Sequence, residues 1–120
     1  MKPILLNAAL PEMVEIGSVT NLGSTVIEGD PQASIAMIDG APEDPVACAI
    51  FKCTKGVFSM QYPFTEHATI LQGSLKLKNL ETGEEETFGP GDSWFVAQGS
   101  KIEWHVLSDY FVKHYLSVAK

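Results

Sequence analysis

The chain has no arginine: its eight basic residues are all lysines, set against fifteen acids, for a formal net charge of -7. Nucleic acid demands a basic face that displaces counterions, so this balance excludes it as a partner. Without a guanidinium there is also no planar two-point clamp for a carboxylate or phosphate, which leaves lysine or backbone N–H groups for that task. Cysteine is nearly as scarce. Cys48 and Cys53 fall within one expected strand, where five extended residues separate Cα atoms by roughly 16 Å, beyond the reach of a disulfide. They read as small core hydrophobes, with a catalytic thiol as the alternative, and they suit a reducing compartment. Long apolar runs are missing too. Nothing approaches the ~20 apolar residues of a membrane span. The opening "MKPILLNAALP" has one lysine and an apolar run broken by Asn7 and Pro11, which makes a poor secretory leader. A cytoplasmic protein without a membrane partner is expected.

What is present is the raw material of a β core. Hydrophobic residues make up 45% of the 120 positions, enough for one domain spanning 1–120. Residues 1–32 read as an irregular arm punctuated by "NLGS" and "EGDPQ", with room for one short helix in "LPEMVEI". From residue 33 to 120 the pattern is strand, turn, strand: "ASIAMI", "VACAIFKC", a turn at Lys55-Gly56, "VFSMQY", "ATILQ", "SLKLKNL", "ETFG", "SWFVA", "KIEWHVL" and "YFVKHYLSV". Leu75 and Leu77 alternate with Lys76 and Lys78 as a half-buried strand requires. "LETGEEE" supplies a hairpin turn with Glu84, Glu85 and Glu86 on a solvated flank, and "FGPGD" has the chemistry of a type II turn. Many short strands and no long helix imply an all-β sandwich or barrel of the jelly-roll kind.

The stretch that carries chemistry is "YPFTEHATILQG", residues 62–73. With "GPGDSWFVAQG", "WHVL" and "VKHYL" it resembles the cupin superfamily, whose first motif has two histidines, a glutamate and a glycine, and whose second opens with Gly-Asp and ends near a third histidine. Glu66 and Gly73 keep the glutamate-to-glycine spacing, and Gly91-Asp92 with Gly99 match the frame of the second motif. Within cupins the sequence is similar to the small single-domain branch of ureidoglycine aminohydrolase and the ethanolamine-utilization Q protein, which share the tyrosine-x-x-x-glutamate and a terminal Lys-x-Tyr. The resemblance covers roughly residues 46–118. It implies a cupin jelly-roll barrel (a double-stranded β-helix, sugar-epimerase-like) and a homodimer; the edge of a small sandwich gives pairing a physical reason.

The departures from the pattern are informative. Counting back from Glu66, Met60 and Tyr62 stand where the two histidines belong, and the third falls on Ile102. A thioether, a phenol and an alkyl chain bind divalent metals badly, and one carboxylate does not hold a catalytic transition metal. Alternation turns His67 and His105 outward, whereas His114 has apolar residues on both faces and no readable orientation. No cofactor or metal is therefore expected, although a bulge could return a histidine to the interior.

Transferred position by position, the barrel mouth is lined by Met60, Tyr62, Phe64, Glu66, Ile102 and Trp104, with Phe51 nearby. A buried glutamate is costly unless Tyr62 and Trp104 donate to it or its proton affinity rises, the second case suiting general acid/base work. Glu66, with Tyr62 behind it, is the candidate catalytic or gripping pair. Three readings remain open: a metal-free cupin binding a small metabolite; a small-metabolite enzyme of isomerase, lyase or aminohydrolase type using Glu66 or an unrecognised metal; and a non-catalytic structural or assembly protein.

Overall fold

A computed structural model describes all residues from Met1 to Lys120. The chain forms nine strands: β1 (Val14–Ser18), β2 (Thr25–Gly29), β3 (Gln32–Asp39), β4 (Val46–Gln61), β5 (Thr65–Gln72), β6 (Leu75–Asn79), β7 (Glu85–Phe88), β8 (Ser93–Val96) and β9 (Lys101–Val118). The only helix is one 3-10 turn over Val19–Leu22. Every pairing is antiparallel, and the principal strand order is β1-β3-β4-β9-β5-β8, with β2 on β4, β6 on β9 and β7 on β6. No helix is long and apolar enough to cross a membrane.

Two long strands form the spine. β4 and β9 pair from Val46 against Val118 to Gln61 against Lys101. Each contributes one half to each side of the roll: the first half of β9 carries β6 and its second half carries β5, while β4 holds β3 on its first half and β2 on its second. The bend has a local cause. Register slips between Thr54 and Gly56, and Leu107, Ser108 and Asp109 of β9 find no partner on β4. Such a bulge bends the strand and shifts its alternation. The inward side chains of β9 are accordingly Ile102, Trp104 and Val106 before the bulge, and Phe111, Lys113 and Tyr115 after it. Gly73 allows the crossing. Its φ is +85°, and a Cβ there would lie 2.8 Å from both Phe111 Cα and Ser108 Oγ, so only glycine fits against the bent strand.

Several expectations are corrected. Lys55-Gly56 is a bulge within continuous β4 and not a turn, and "KIEWHVL" and "YFVKHYLSV" are one strand. The N-terminal arm is irregular only before Val14. "LPEMVEI" contributes to β1 and contains no helix, and residues 14–29 are tied into the protein's own sheet through Val14–Ile35 and Thr25–Ser59 pairs. Propensity alone does not reveal strands whose partners lie elsewhere in the chain, as Ile35 does for Val14 and Ser59 for Thr25. At "FGPGD" the Asp92 N–H donates to the Gly89 carbonyl at 3.0 Å, and Gly91 has a φ of +90°, as a type II turn requires.

Candidate ligand site

Strand alternation turns Glu66 of β5 inward, where it has no exposed surface. Tyr62, one residue past the end of β4, donates its hydroxyl to Glu66 Oε2 at 2.7 Å, and Trp94 Nε1 of β8 donates to the same oxygen at 3.0 Å. Lys113 Nζ, brought inward by the shifted phase of β9, completes the set as donor and ion pair to Oε1. All three partners donate, so the carboxylate is satisfied on both oxygens, which is what permits its burial. Trp94 takes the role expected of Trp104. The Trp104 indole packs instead, stacked on Phe58 with centroids 5.3 Å apart, and its Nε1 is buried without a hydrogen-bond partner.

Lys113 is the cation of an aromatic box. Its Nζ stands 4.5 Å from the ring centroid of Trp104, 5.0 Å from Tyr115, 5.3 Å from Phe51 and 5.7 Å from Trp94. Ring faces carry negative quadrupole, and such a contact is worth about 0.5–1 kcal/mol at an exposed site and about 2 kcal/mol when desolvated. The rings thus offset part of the cost of removing an ammonium from water. Taking away either partner of such a pair costs about 3–5 kcal/mol, because the other is left buried and uncompensated.

A cavity of about 340 Å³ opens beside this network, lined mainly by apolar side chains. Met60, Tyr62, Phe64, Glu66 and Trp104 line it as expected, as does Phe51. Ile102 does not: it is buried on the other side, where it lines a separate hollow of about 260 Å³ with Leu77, Phe88 and Trp94. The sequence reading missed Lys113 and Tyr115, and it missed Ile16, Val19 and Leu22, which bring the N-terminal segment into the wall. The Lys-x-Tyr of "VKHYL" was the available signal, since alternation that puts Tyr115 inside puts Lys113 there too.

The sequence fits the model of the EutQ-like cupin domain over residues 40–115. The chain belongs to the EutQ-like cupin family. Among solved structures, this cupin is similar to the EutQ protein of Clostridium difficile, with a TM-score of 0.62 and 20% identity over 74% of this chain and 69% of that one. An ethanolamine utilization protein Q of Salmonella typhimurium gives 0.60 and 18% over 72% and 69%. A protein of unknown function from Pseudomonas syringae pv. tomato gives 0.76 and 20%; the match takes in 91% of this cupin and 45% of that longer chain. At these identities the likeness establishes the jelly-roll fold and nothing finer. No curated protein matches.

The residues present do not fit a cupin metal. Met60 and Ile102 are paired across β4 and β9, Tyr62 is committed to Glu66, and no three His, Cys, Asp or Glu side chains converge on a metal-sized site. His67 is exposed opposite Phe95, and His105 bonds Glu103 at 2.6 Å. His114 is half-buried on the outer side; burial, then the charge of His67, lowers its proton affinity. Cys53 is buried and Cys48 half-buried, both as free thiols.

Burial also shapes the titration of the interior. It pushes the Tyr62 hydroxyl well above its usual range, with the Glu66 charge and the donated hydrogen bond acting the same way. Burial, then Glu66, raises Tyr115 to about 12, and burial raises the Cys53 thiol to about 12. Burial lowers Lys113, opposed by Glu66. For the two tyrosines the folded value is the higher one. Their contribution to stability is therefore complete below the ordinary phenol value of 10 and is lost as pH rises through the folded value. Lys113 has the opposite sign. In an alkaline titration followed by tyrosinate absorbance, at least two of the three tyrosines are expected to ionise only above about pH 11, together with loss of near-ultraviolet dichroism. Reversible ionisation of all three near pH 10 in folded protein would contradict the buried network.

Proposed function

We propose that this cupin binds a small, mostly apolar molecule in the barrel cavity without a catalytic metal, with the polar end of the ligand against Tyr62, Glu66 and Lys113. The observation that carries the reading is the pairing of an apolar cavity of about 340 Å³ with the buried ion pair in its wall. Small-molecule sites have this composition: hydrophobic and aromatic walls with a few fixed polar groups. In this reading Glu66 is the principal polar group and Tyr62 its positioning partner. Met60 and Phe64 recognise the apolar body, and they touch the cavity without belonging to the network.

A thermal-shift screen of small aldehydes, ketones, alcohols and carboxylic acids tests this, with Met60→Trp as the variant that fills the cavity and spares the ion pair. A ligand at about a hundred times its Kd stabilises by about 2.7 kcal/mol, a shift of about ten degrees in a chain this size. The expected result is at least one such ligand for the wild type and loss of its effect in Met60→Trp. A full screen without a shift, or a shift that Met60→Trp retains, would overturn the reading.

We also propose that the protein pairs with a second copy through the outer face of β4, β5, β8 and β9. Phe95 (68% exposed), Val46 (54%), Leu116 (45%) and Val118 (39%) face outward there. Cross-strand pairing puts Phe95 beside His67, His67 beside Leu116, and Val46 beside Val118, so these side chains form one patch. Large exposed apolar side chains gathered around one histidine on a sheet face support an interaction site there. Light scattering should give twice the 13.0 kDa chain mass, falling to the chain mass in Phe95→Glu/Leu116→Glu. A wild-type monomer at high concentration would refute the pairing.

A further inference from the structure

We propose that Lys113 is a Schiff-base lysine, whose Nζ condenses with the carbonyl carbon of a small apolar aldehyde or ketone held in the barrel cavity while Glu66 relays the protons. The proposal rests on the cavity being a ligand site, and it adds the chemical class of the ligand and a covalent step.

Lys113 is the only buried lysine of the eight, at 4% exposure, and it lines the cavity beside Glu66 and Tyr62. An ammonium has three N–H donors. Glu66 Oε1 is the one hydrogen-bond acceptor that Lys113 Nζ meets; its other close neighbours are ring faces. No backbone carbonyl or second carboxylate fixes the nitrogen in place. An amine in an apolar pocket, against a group that can take its proton, is the arrangement that activates lysine toward carbonyls. Burial, which lowers the proton affinity of Lys113, acts in the same direction.

The step balances without any outside reagent. Glu66 takes one proton from the ammonium along their hydrogen bond, leaving a neutral amine. The amine lone pair forms the C–N bond as the carbonyl π electrons move to oxygen; a second nitrogen proton passes to that oxygen, giving the carbinolamine. Glu66 returns its proton to the hydroxyl, the C–O bond breaks, water leaves, and the nitrogen lone pair closes the C=N bond. Ammonium, carboxylate and carbonyl have become iminium, carboxylate and water, with no net change in charge. The aromatic box and Glu66 therefore face a cationic nitrogen before and after, so the environment that holds the ammonium also holds the iminium. Tyr62, which donates to Oε2 at 2.7 Å, keeps the carboxyl oriented through the exchange. Met60, Phe64 and the rings of Phe51 and Tyr115 form an apolar surround for the carbonyl compound's body.

The 120-residue chain is incubated with benzaldehyde and sodium cyanoborohydride, then digested and mapped by mass spectrometry. The expected result is a benzyl adduct on Lys113 that forms roughly tenfold or more faster than on the exposed Lys55, Lys101 and Lys120, the advantage of a desolvated amine. Benzyl alcohol, which has no carbonyl, is expected to slow the Lys113 adduct and leave the surface lysines unaffected. In Lys113→Arg the preferential adduct disappears; the wild-type competition decides the matter if that variant does not fold. Adducts confined to surface lysines, with Lys113 unmodified, would overturn the proposal. If benzyl alcohol still raises the melting temperature in that outcome, the cavity remains a binding site and only the lysine chemistry fails. If it does not, benzyl alcohol lends the cavity no support either.

Discussion

A carboxylate with no exposed surface, held by one ammonium, one phenol and one indole, is the constraint on which the rest of this barrel depends. Its partners come from the end of β4, from β8 and from the second half of β9, so the network ties separate parts of the roll to one point. The geometry that delivers them is equally specific. Lys113 points inward because β9 shifts phase at its bulge, and the bend at that bulge needs Gly73 against it. A backbone feature outside the cavity lining thus decides which side chain enters it.

The cavity wall is mostly apolar, with Met60 and Tyr62 in it, while Ile102 is buried beside a separate hollow. The polar character that remains is concentrated in an internal ion pair. A divalent ion polarises bound oxygen, whereas a buried lysine beside a carboxylate offers a nucleophilic nitrogen and a proton acceptor. An aromatic box around the nitrogen makes its positive charge tolerable in a place with little water.

Much of this was legible in the sequence, and the rest was hidden for identifiable reasons. Period-two alternation along β5 puts Glu66 inside and His67 outside, and Tyr62 reaches Glu66 across the short Pro63–Phe64 bend between β4 and β5, so both features depend only on residues close in the chain. Lys113 escaped because a bulge between Val106 and Phe111 changes the phase, and both faces of the last strand segment are apolar. Trp94 has the donor role expected of Trp104 because an indole's partner depends on which strands are adjacent, and β5–β8 pairing is not written in either strand alone. The strands of the N-terminal segment were unreadable for the same reason, since β1 and β2 are short and pair at a distance. Ile102 faces a different hollow because inward alternation selects the barrel interior, but not which end of it a side chain meets.

A double-mutant cycle on Glu66→Gln and Lys113→Met, read by urea unfolding, tests the central claim most directly. Each single substitution leaves its partner buried without its counter-charge and is expected to cost about 3–5 kcal/mol. The double variant is expected to cost well under the sum, giving a coupling of about 2 kcal/mol or more. Single costs below about 1 kcal/mol, or a double cost equal to the sum of the singles, would contradict the view that the interior is organised by this pair.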